Sequence, residues 1–281
     1  MFNIPFNYRE GYSSGDPIPV FGSAKAILWV DSLKGVYNGL PYSAATLNDT
    51  NIRLWQDQTI YGNNLTGTSA NSPTYSATTF APSGTSSSFP FIRFTDLNSE
   101  YLNRPNSASL QGISTGFTIF FVMRKNPART WSSGNPIVEY NAAWSYESEG
   151  FGIDGDAGPN NLDLWYANNS LQTTPITIPW GGSGVNDEHF YYYTYRMSAG
   201  TVTGYVGSTL KATAVAVGGD KRMKAVSSNA KFSIAAGFDG ATYKQASAID
   251  VAEVLLYDGA VPNAGLTTVW NYFKSKYGFI G

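Results

Sequence analysis

Hydrophobic residues recur along this chain in short runs of β-forming character, set apart by clusters of Gly, Asn, Pro and Ser. The first such run, residues 26–31, is apolar and ends at the turn-prone Asp31, so it reads as the first core strand. From residue 89 onward the runs come at close intervals: 89–94, 117–124, 136–140, 151–153, 162–166, 190–197, 201–206, 210–217, 231–238 and 249–257. About ten strands with no helical pattern between them predict an all-β antiparallel sandwich or barrel. In 116–123 and 190–197 apolar bodies occupy both parities, the pattern of central strands whose two faces are covered or lined by rings. A sandwich with one curved, aromatic-lined face fits these runs.

The period changes near the end. Leu266, Val269, Trp270, Phe273 and Tyr277 fall three and four residues apart, predicting a helix of about 14 residues after Pro262 with Asn263 as cap and Gly278 as stop. Its apolar stripe is expected against a sheet edge. Residues 1–24, with Pro5, Pro17, Pro19, Gly11, Gly15 and Gly22, show no useful periodicity and read as an extended arm before a domain of residues 25–281. Residues 66–88, dominated by Ser, Thr, Ala, Gly and Pro, read as a long surface loop within one all-β unit.

Composition narrows the chemistry. The 281 residues are 42% hydrophobic, 15% aromatic and 14% charged, which supports a sizeable core and excludes disorder throughout. A formal net charge of -2 gives no electrostatic reason to bind nucleic acid or an anionic bilayer. With no cysteine and one histidine, His189, thiolate nucleophiles, disulfides and multi-imidazole zinc sites are excluded, and a serine triad would have to use His189. Carboxylate chemistry, oxygen-ligated metals and aromatic binding surfaces remain. The opening residues lack a basic patch followed by an apolar stretch, so no secretory signal is expected there. The longest apolar stretch, 117–123, is far short of the roughly 20 residues a membrane span requires.

Several segments taken in order resemble a known family. These are Leu28-Trp-Val-Asp31, Leu54-Trp-Gln-Asp-Gln-Thr-Ile-Tyr-Gly-Asn-Asn-Leu65, Ser72-Pro-Thr-Tyr75, Phe91-Ile-Arg-Phe94, Gly116-Phe-Thr-Ile-Phe-Phe-Val-Met-Arg124 and Ile249-Asp-Val-Ala-Glu-Val-Leu-Leu-Tyr-Asp258, with the helix to Lys276-Tyr-Gly278. Over about residues 25–281 they are similar to laminin-G-like jelly-roll domains of the concanavalin A-like superfamily. The resemblance implies an antiparallel jelly-roll β-sandwich with a short C-terminal α-helix. Members serve as sugar-binding modules, adhesion modules, glycosidase domains and parts of bacteriophage virions, so fold alone does not settle activity. It implies a non-enzymatic virion or surface protein, of phage origin, located on the virion or, alternatively, outside or on a cell. Other virion subunits are expected to meet the arm, host glycans to be ligands, and a homo-oligomer is a further expectation.

Candidate residues follow. Trp131, Trp144, Tyr146 and Trp180 have turn-forming neighbours, and as loop-tip rings they could stack on a pyranose; the competing reading has them plugging the sandwich ends or lying between subunits. Trp29, Trp55, Trp165 and Trp270 lie in regular elements and read as core. Asp154, Asp156 and Asn160 put hard oxygens in one segment of the kind calcium prefers, against a reading as a solvated Asp-Gly turn between strands. Trp55-Gln-Asp57 and Gly62-Asn-Asn64 read as a strand and a tight turn. Asp250 and Glu253 have opposite parity and cannot share a face without a bulge, and Glu253 reads as a satisfied structural carboxylate. The Glu-x-Asp-x-x-Glu strand that marks glycosidases of this superfold is missing, leaving Glu147 and Glu149 in a loop, while His189 reads as an edge residue. No enzyme activity is expected. The rivals are a polysaccharide-degrading enzyme and a capsid decoration protein without a ligand.

Overall fold

Most of the runs that read as strands are strands, and their pairing explains why the most apolar of them are central. The structure, a computed structural model, describes residues 20–39, 42–77, 85–96, 99–126, 135–141, 149–155, 161–167, 176–180, 189–215, 222–238 and 243–279. Among these residues, sheet I has nine strands: β1 (Val20–Phe21), β2 (Ala24–Asp31), β7 (Thr74–Ala77), β8 (Pro90–Phe94), β10 (Gly116–Lys125), β15 (Tyr191–Ser198), β16 (Thr201–Val206), β17 (Thr209–Val215) and β21 (Ile249–Tyr257). Sheet II has ten: β3 (Val36–Asn38), β4 (Ser43–Ala44), β5 (Ile52–Trp55), β6 (Leu65–Thr66), β9 (Leu102–Pro105), β11 (Asn135–Asn141), β12 (Phe151–Gly155), β13 (Asn161–Tyr166), β14 (Ile176–Pro179) and β18 (Lys231–Ile234). A ribbon of β19 (Ala236–Phe238) and β20 (Tyr243–Ala246) stands apart from both. One short helix, α1 (Ala108–Gln111), precedes β10, and α2 (Asn263–Tyr277) follows β21. Among the described residues every strand pair is antiparallel, and the result is a jelly-roll sandwich with a C-terminal helix.

β10 and β21 are neighbours at the centre of sheet I, and every residue of β21 and all but Lys125 of β10 are buried. One face of sheet I meets sheet II. There Ile119, Phe121, Tyr193, Tyr195, Val254 and Leu256 join Val138, Tyr140, Phe151, Ile153 and Leu164 in one core. Phe117 of sheet I stacks on Phe151 of sheet II at 4.6 Å, tying the layers together, and Phe121 stacks on its cross-strand neighbour Tyr193 at 5.4 Å. The Tyr-rich strand thus lines no open face: Tyr192, Tyr193 and Tyr195 are all buried.

The opposite face of sheet I carries Trp29, Phe120, Val122, Leu255 and Tyr257, and α2 covers it with Leu266, Val269, Phe273 and Tyr277. The expectation of edge packing is therefore corrected. The stripe lies across the strands, with Trp270 Nε1 donating to Thr194 Oγ1 at 3.0 Å and Phe273 meeting Phe120. Gly265 allows this approach, since a Cβ there would come within 2.8 Å of the Phe21 ring. Gly278 ends the helix in the left-handed conformation, φ 62°, its N–H returning to the Lys274 carbonyl. Asn263 caps nothing with its side chain and instead accepts from Arg196 at 2.8 Å.

Three further differences are local. The run 231–238 is two strands, because Ala235 turns left-handed (φ 69°) and sends β19 out of sheet II. Part of the expected loop 66–88 is strand, since β7 pairs with β8. Val20–Phe21 pairs with Ala24–Lys25, so the sheet already includes the end of the expected arm, whose residues 1–19 lie outside the described residues.

Candidate functional site

Three groups of buried acids stand on the two sheets, and the donors around each separate structural duty from an unmet demand. Glu253 Oε1 accepts from Trp29 Nε1 (2.6 Å) and Tyr272 OH (3.0 Å), and Oε2 from Lys276 Nζ (2.7 Å) and Tyr277 OH (2.6 Å). Lys276 also pairs with Asp31 at 2.7 Å. Burial pulls the Lys276 pKa down, but Glu253 and Asp31 outweigh it and hold the ammonium above its ordinary value. Asp250 takes both Arg93 Nε and Nη2 and also Arg124 Nε, at 2.8 to 2.9 Å. A register shift in β21, where Val122 faces Glu253 and Met123 faces Val251, brings Asp250 and Glu253 to the same helix-covered face. Both are satisfied and structural, as expected for Glu253.

The third group lies on the outer face of sheet II. Ile176, Leu164, Ile153, Val138, Ile234 and Leu102 form a row pointing into the core, so the alternate residues point away from it. Trp165, Gly152, Glu139, Ser233 and Asn103 are successive partners across β13, β12, β11, β18 and β9 on that outer face. Asp154 lies two residues from Gly152 on the same side, and Asn141 two residues from Glu139.

This row is not solvated, because β19–β20 folds back over it. Ser233 Oγ donates to the Ala236 carbonyl at 2.7 Å, Ser247 Oγ to the Pro136 carbonyl at 2.5 Å, and the Phe238 backbone N–H to the Glu139 carboxylate. Lys231 places its ammonium 4.2 Å over Phe238 and 5.1 Å over Tyr243, which stacks on Tyr101 at 3.7 Å. Beneath this cover Glu139 and Asn141 are 0% exposed and Asp154 is 4%. Asn141 Nδ2 reaches Glu139 Oε2 at 3.1 Å, and Trp165 Nε1 reaches Asp154 Oδ2 at 3.3 Å. Glu139 Oε1 and Asn141 Oδ1 receive no donor. Burial, and then the neighbouring Asp154, push the Glu139 pKa well above the ordinary carboxylate range. Gly152 is needed here, for a Cβ would stand 2.5 Å from Trp165 Cζ2.

The expected site residues divide. Trp131, Trp144, Tyr146, Asp156, Asn160 and Glu147 lie outside the described residues. Trp180, expected at a loop tip, is 1% exposed, edge-on to Tyr193 at 5.9 Å, with the Lys125 ammonium 4.9 Å over its ring; it plugs the core and shows no open face to a sugar. Asp154 is no solvated turn residue but part of β12. Glu149 clamps Ser227 through its N–H and Oγ, and His189 is exposed and stacks on Tyr191. Trp29, Trp55 and Trp165 are buried as expected, and Trp270, on α2, is half-buried against sheet I. Asp57 holds the tight turn, accepting from Trp29, Thr59 and Asn63. Among the described residues no three acidic or histidine side chains converge as metal ligands, and no described helix is long and apolar enough to cross a membrane. Glu139 was missed: its alternation with Val138 and Tyr140 signals an outward polar residue, and nothing nearby signals the cover.

No protein family and no curated protein matches this chain. Its structure is similar to the binding domain of Paraclostridial Mosquitocidal Protein 1, at 12% identity and a TM-score of 0.56 over 88% of this chain and 52% of that one. It is also similar to the botulinum neurotoxin serotype G binding domain, at 12% identity and 0.58 over 89% and 52%. A further structure, the botulinum neurotoxin type G receptor binding domain, matches at 10% identity and 0.55 over 88% and 51%. The chain thus spans about half the length of these structures, and at such identities the likeness is one of fold.

Proposed function

We propose that this chain is a non-enzymatic recognition module that adheres to host glycans, carried on a virion or comparable surface assembly. The observation that carries the non-enzymatic reading is the closure of the buried acids. Glycoside hydrolysis needs two carboxylates roughly 5 to 9 Å apart with substrate and water between them. Here Asp250 and Glu253 are consumed by Arg93, Arg124, Lys276 and aromatic hydroxyls, and Glu139 is fully covered by β19–β20. The adhesive reading draws support from the fold, which binding domains of clostridial toxins share. The virion placement, with an arm at residues 1–24 meeting neighbouring subunits, draws on the resemblance to laminin-G-like domains of phage proteins.

The test is a glycan array probed with the chain displayed in multivalent form, alongside an assay for reducing-sugar release from the same glycans. Saturable capture on a restricted set of glycans, with no release, is the expected result. Release of reducing sugar would replace this reading with a polysaccharide-degrading one, and an empty array would leave a purely structural part. Gold-labelled antibody on particles containing the chain should mark the virion surface, and unlabelled particles would remove the virion from the proposal.

A further inference from the structure

We propose that Glu139, Asn141 and Asp154 form a binding site for a hard divalent cation on the outer face of sheet II, beneath β19–β20. The inference is independent of the adhesive reading and stands on the geometry of these three side chains. They come from adjacent strands, β11 and β12, and point to one side of the sheet. Glu139 faces Gly152, so Asp154 is its diagonal neighbour, and such neighbours have Cα atoms roughly 7–8 Å apart. A cation that takes carboxylate oxygens at about 2.3–2.6 Å fits between two side chains converging from that separation.

The donor inventory points the same way. Asn141 Nδ2 lies on Glu139 Oε2 and Trp165 Nε1 on Asp154 Oδ2. The remaining Glu139 oxygen and the Asn141 carbonyl oxygen are completely buried and accept nothing. Buried acceptors in native proteins almost always have a partner, and the buried Asp250 and Glu253 have three and four donors respectively. The one lysine in register with Asn141 does not answer the demand. Lys231 directs its ammonium into the rings of Phe238 and Tyr243 and forms no ion pair with Glu139. Two carboxylates and an amide oxygen, with no nitrogen or sulfur ligand, select calcium, magnesium or manganese over softer metals.

The rival account is a proton held between the two carboxyl groups, with no metal. The experiment strips the full chain with chelator and titrates it with calcium, then magnesium and manganese, reading melting temperature and calorimetric heat. At a hundredfold excess over Kd, calcium or its substitute is expected to raise the melting temperature by roughly 5 °C with a stoichiometry of one. Glu139→Gln and Asp154→Asn should each weaken binding at least tenfold while melting in chelator no lower than the parent chain. If one of them fails to fold, the other and Asn141→Leu carry the test. The proposal falls if no cation produces either a shift or heat, or if the shift survives undiminished in the variants that fold, which would place the ion elsewhere.

Discussion

The two outer faces of the sandwich pose the same problem and solve it differently. On sheet I, Asp31, Asp250 and Glu253 are buried; Arg93 and Arg124 both pair with Asp250, Lys276 bridges Asp31 and Glu253, and Trp29, Tyr272 and Tyr277 donate to Glu253. On sheet II, Glu139 is equally buried, yet its donors among the described residues are an asparagine amide and a backbone N–H, and the charged neighbour that acts on it is another acid, Asp154. The helix brings its own counter-charge with its apolar stripe, since Lys276 stands one residue before Tyr277. The ribbon β19–β20 brings rings and main chain, and it spends its nearby cation on those rings. A cover can be equally tight and differ entirely in the charge that it delivers.

The largest test of this contrast is Lys276→Met. It would leave Asp31 and Glu253 together without their cation, and a loss of about 3–5 kcal/mol in urea unfolding is expected. A loss below about 1 kcal/mol would mean that the helix side is no better compensated than the ribbon side. Alkaline titration comes next. Burial raises the pKa of Tyr195 and of Tyr277, so the folded state keeps their protons when the unfolded chain has released them. Their stabilisation is complete below about pH 10 and is lost as pH rises beyond it, at up to about 1.4 kcal/mol per pH unit for each. The part of the tyrosinate absorbance that belongs to the buried tyrosines should appear only together with unfolding, and ionisation of the full tyrosine complement in the folded chain would contradict the packing described.

Tyr277→Phe removes one hydrogen bond to a charged acceptor and should cost about 1.5–3 kcal/mol, with a shallower alkaline slope than the parent. The smallest effect is expected at Glu139→Gln in chelator. Replacing one of two adjacent buried acids by an amide relieves repulsion and desolvation, so stability should stay level or rise by about 1 kcal/mol. Opposite signs at Lys276 and Glu139 would sharpen the contrast, and a matching large loss at both would end it.

Much of the framework was legible. β2, β10, β15, β16 and β21 announce themselves because they are long, aromatic or β-branched and apolar on both faces, which is what a doubly covered sheet demands. Short partners such as β7, β9 and β14 have only four residues each, and neighbours rather than local pattern hold them in place. The helix stripe identified the apolar side of α2 but not what it would lie on, because periodicity carries no information about the partner surface. The acid pair escaped for a related reason. A search for catalytic carboxylates along one strand cannot find Glu139 and Asp154, which meet only through the β11–β12 register and are hidden only because Ala235 redirects the chain above them. Asp250 and Glu253 likewise reached one face through a bulge that single-strand alternation does not foretell.

The pairing of β2 with β21 sets a timetable. The strand partners of residues 26–31 in the middle of sheet I are residues 253–257, and Asp31 waits for Lys276. During synthesis on a ribosome, then, sheet I must remain open along one flank until residues 249–257 have been made, with Trp29 and its apolar neighbours exposed meanwhile. Chains cut short before residue 249 should be substrates for chaperones or proteases rather than smaller working versions of the same domain, a form of quality control written into the order of the strands.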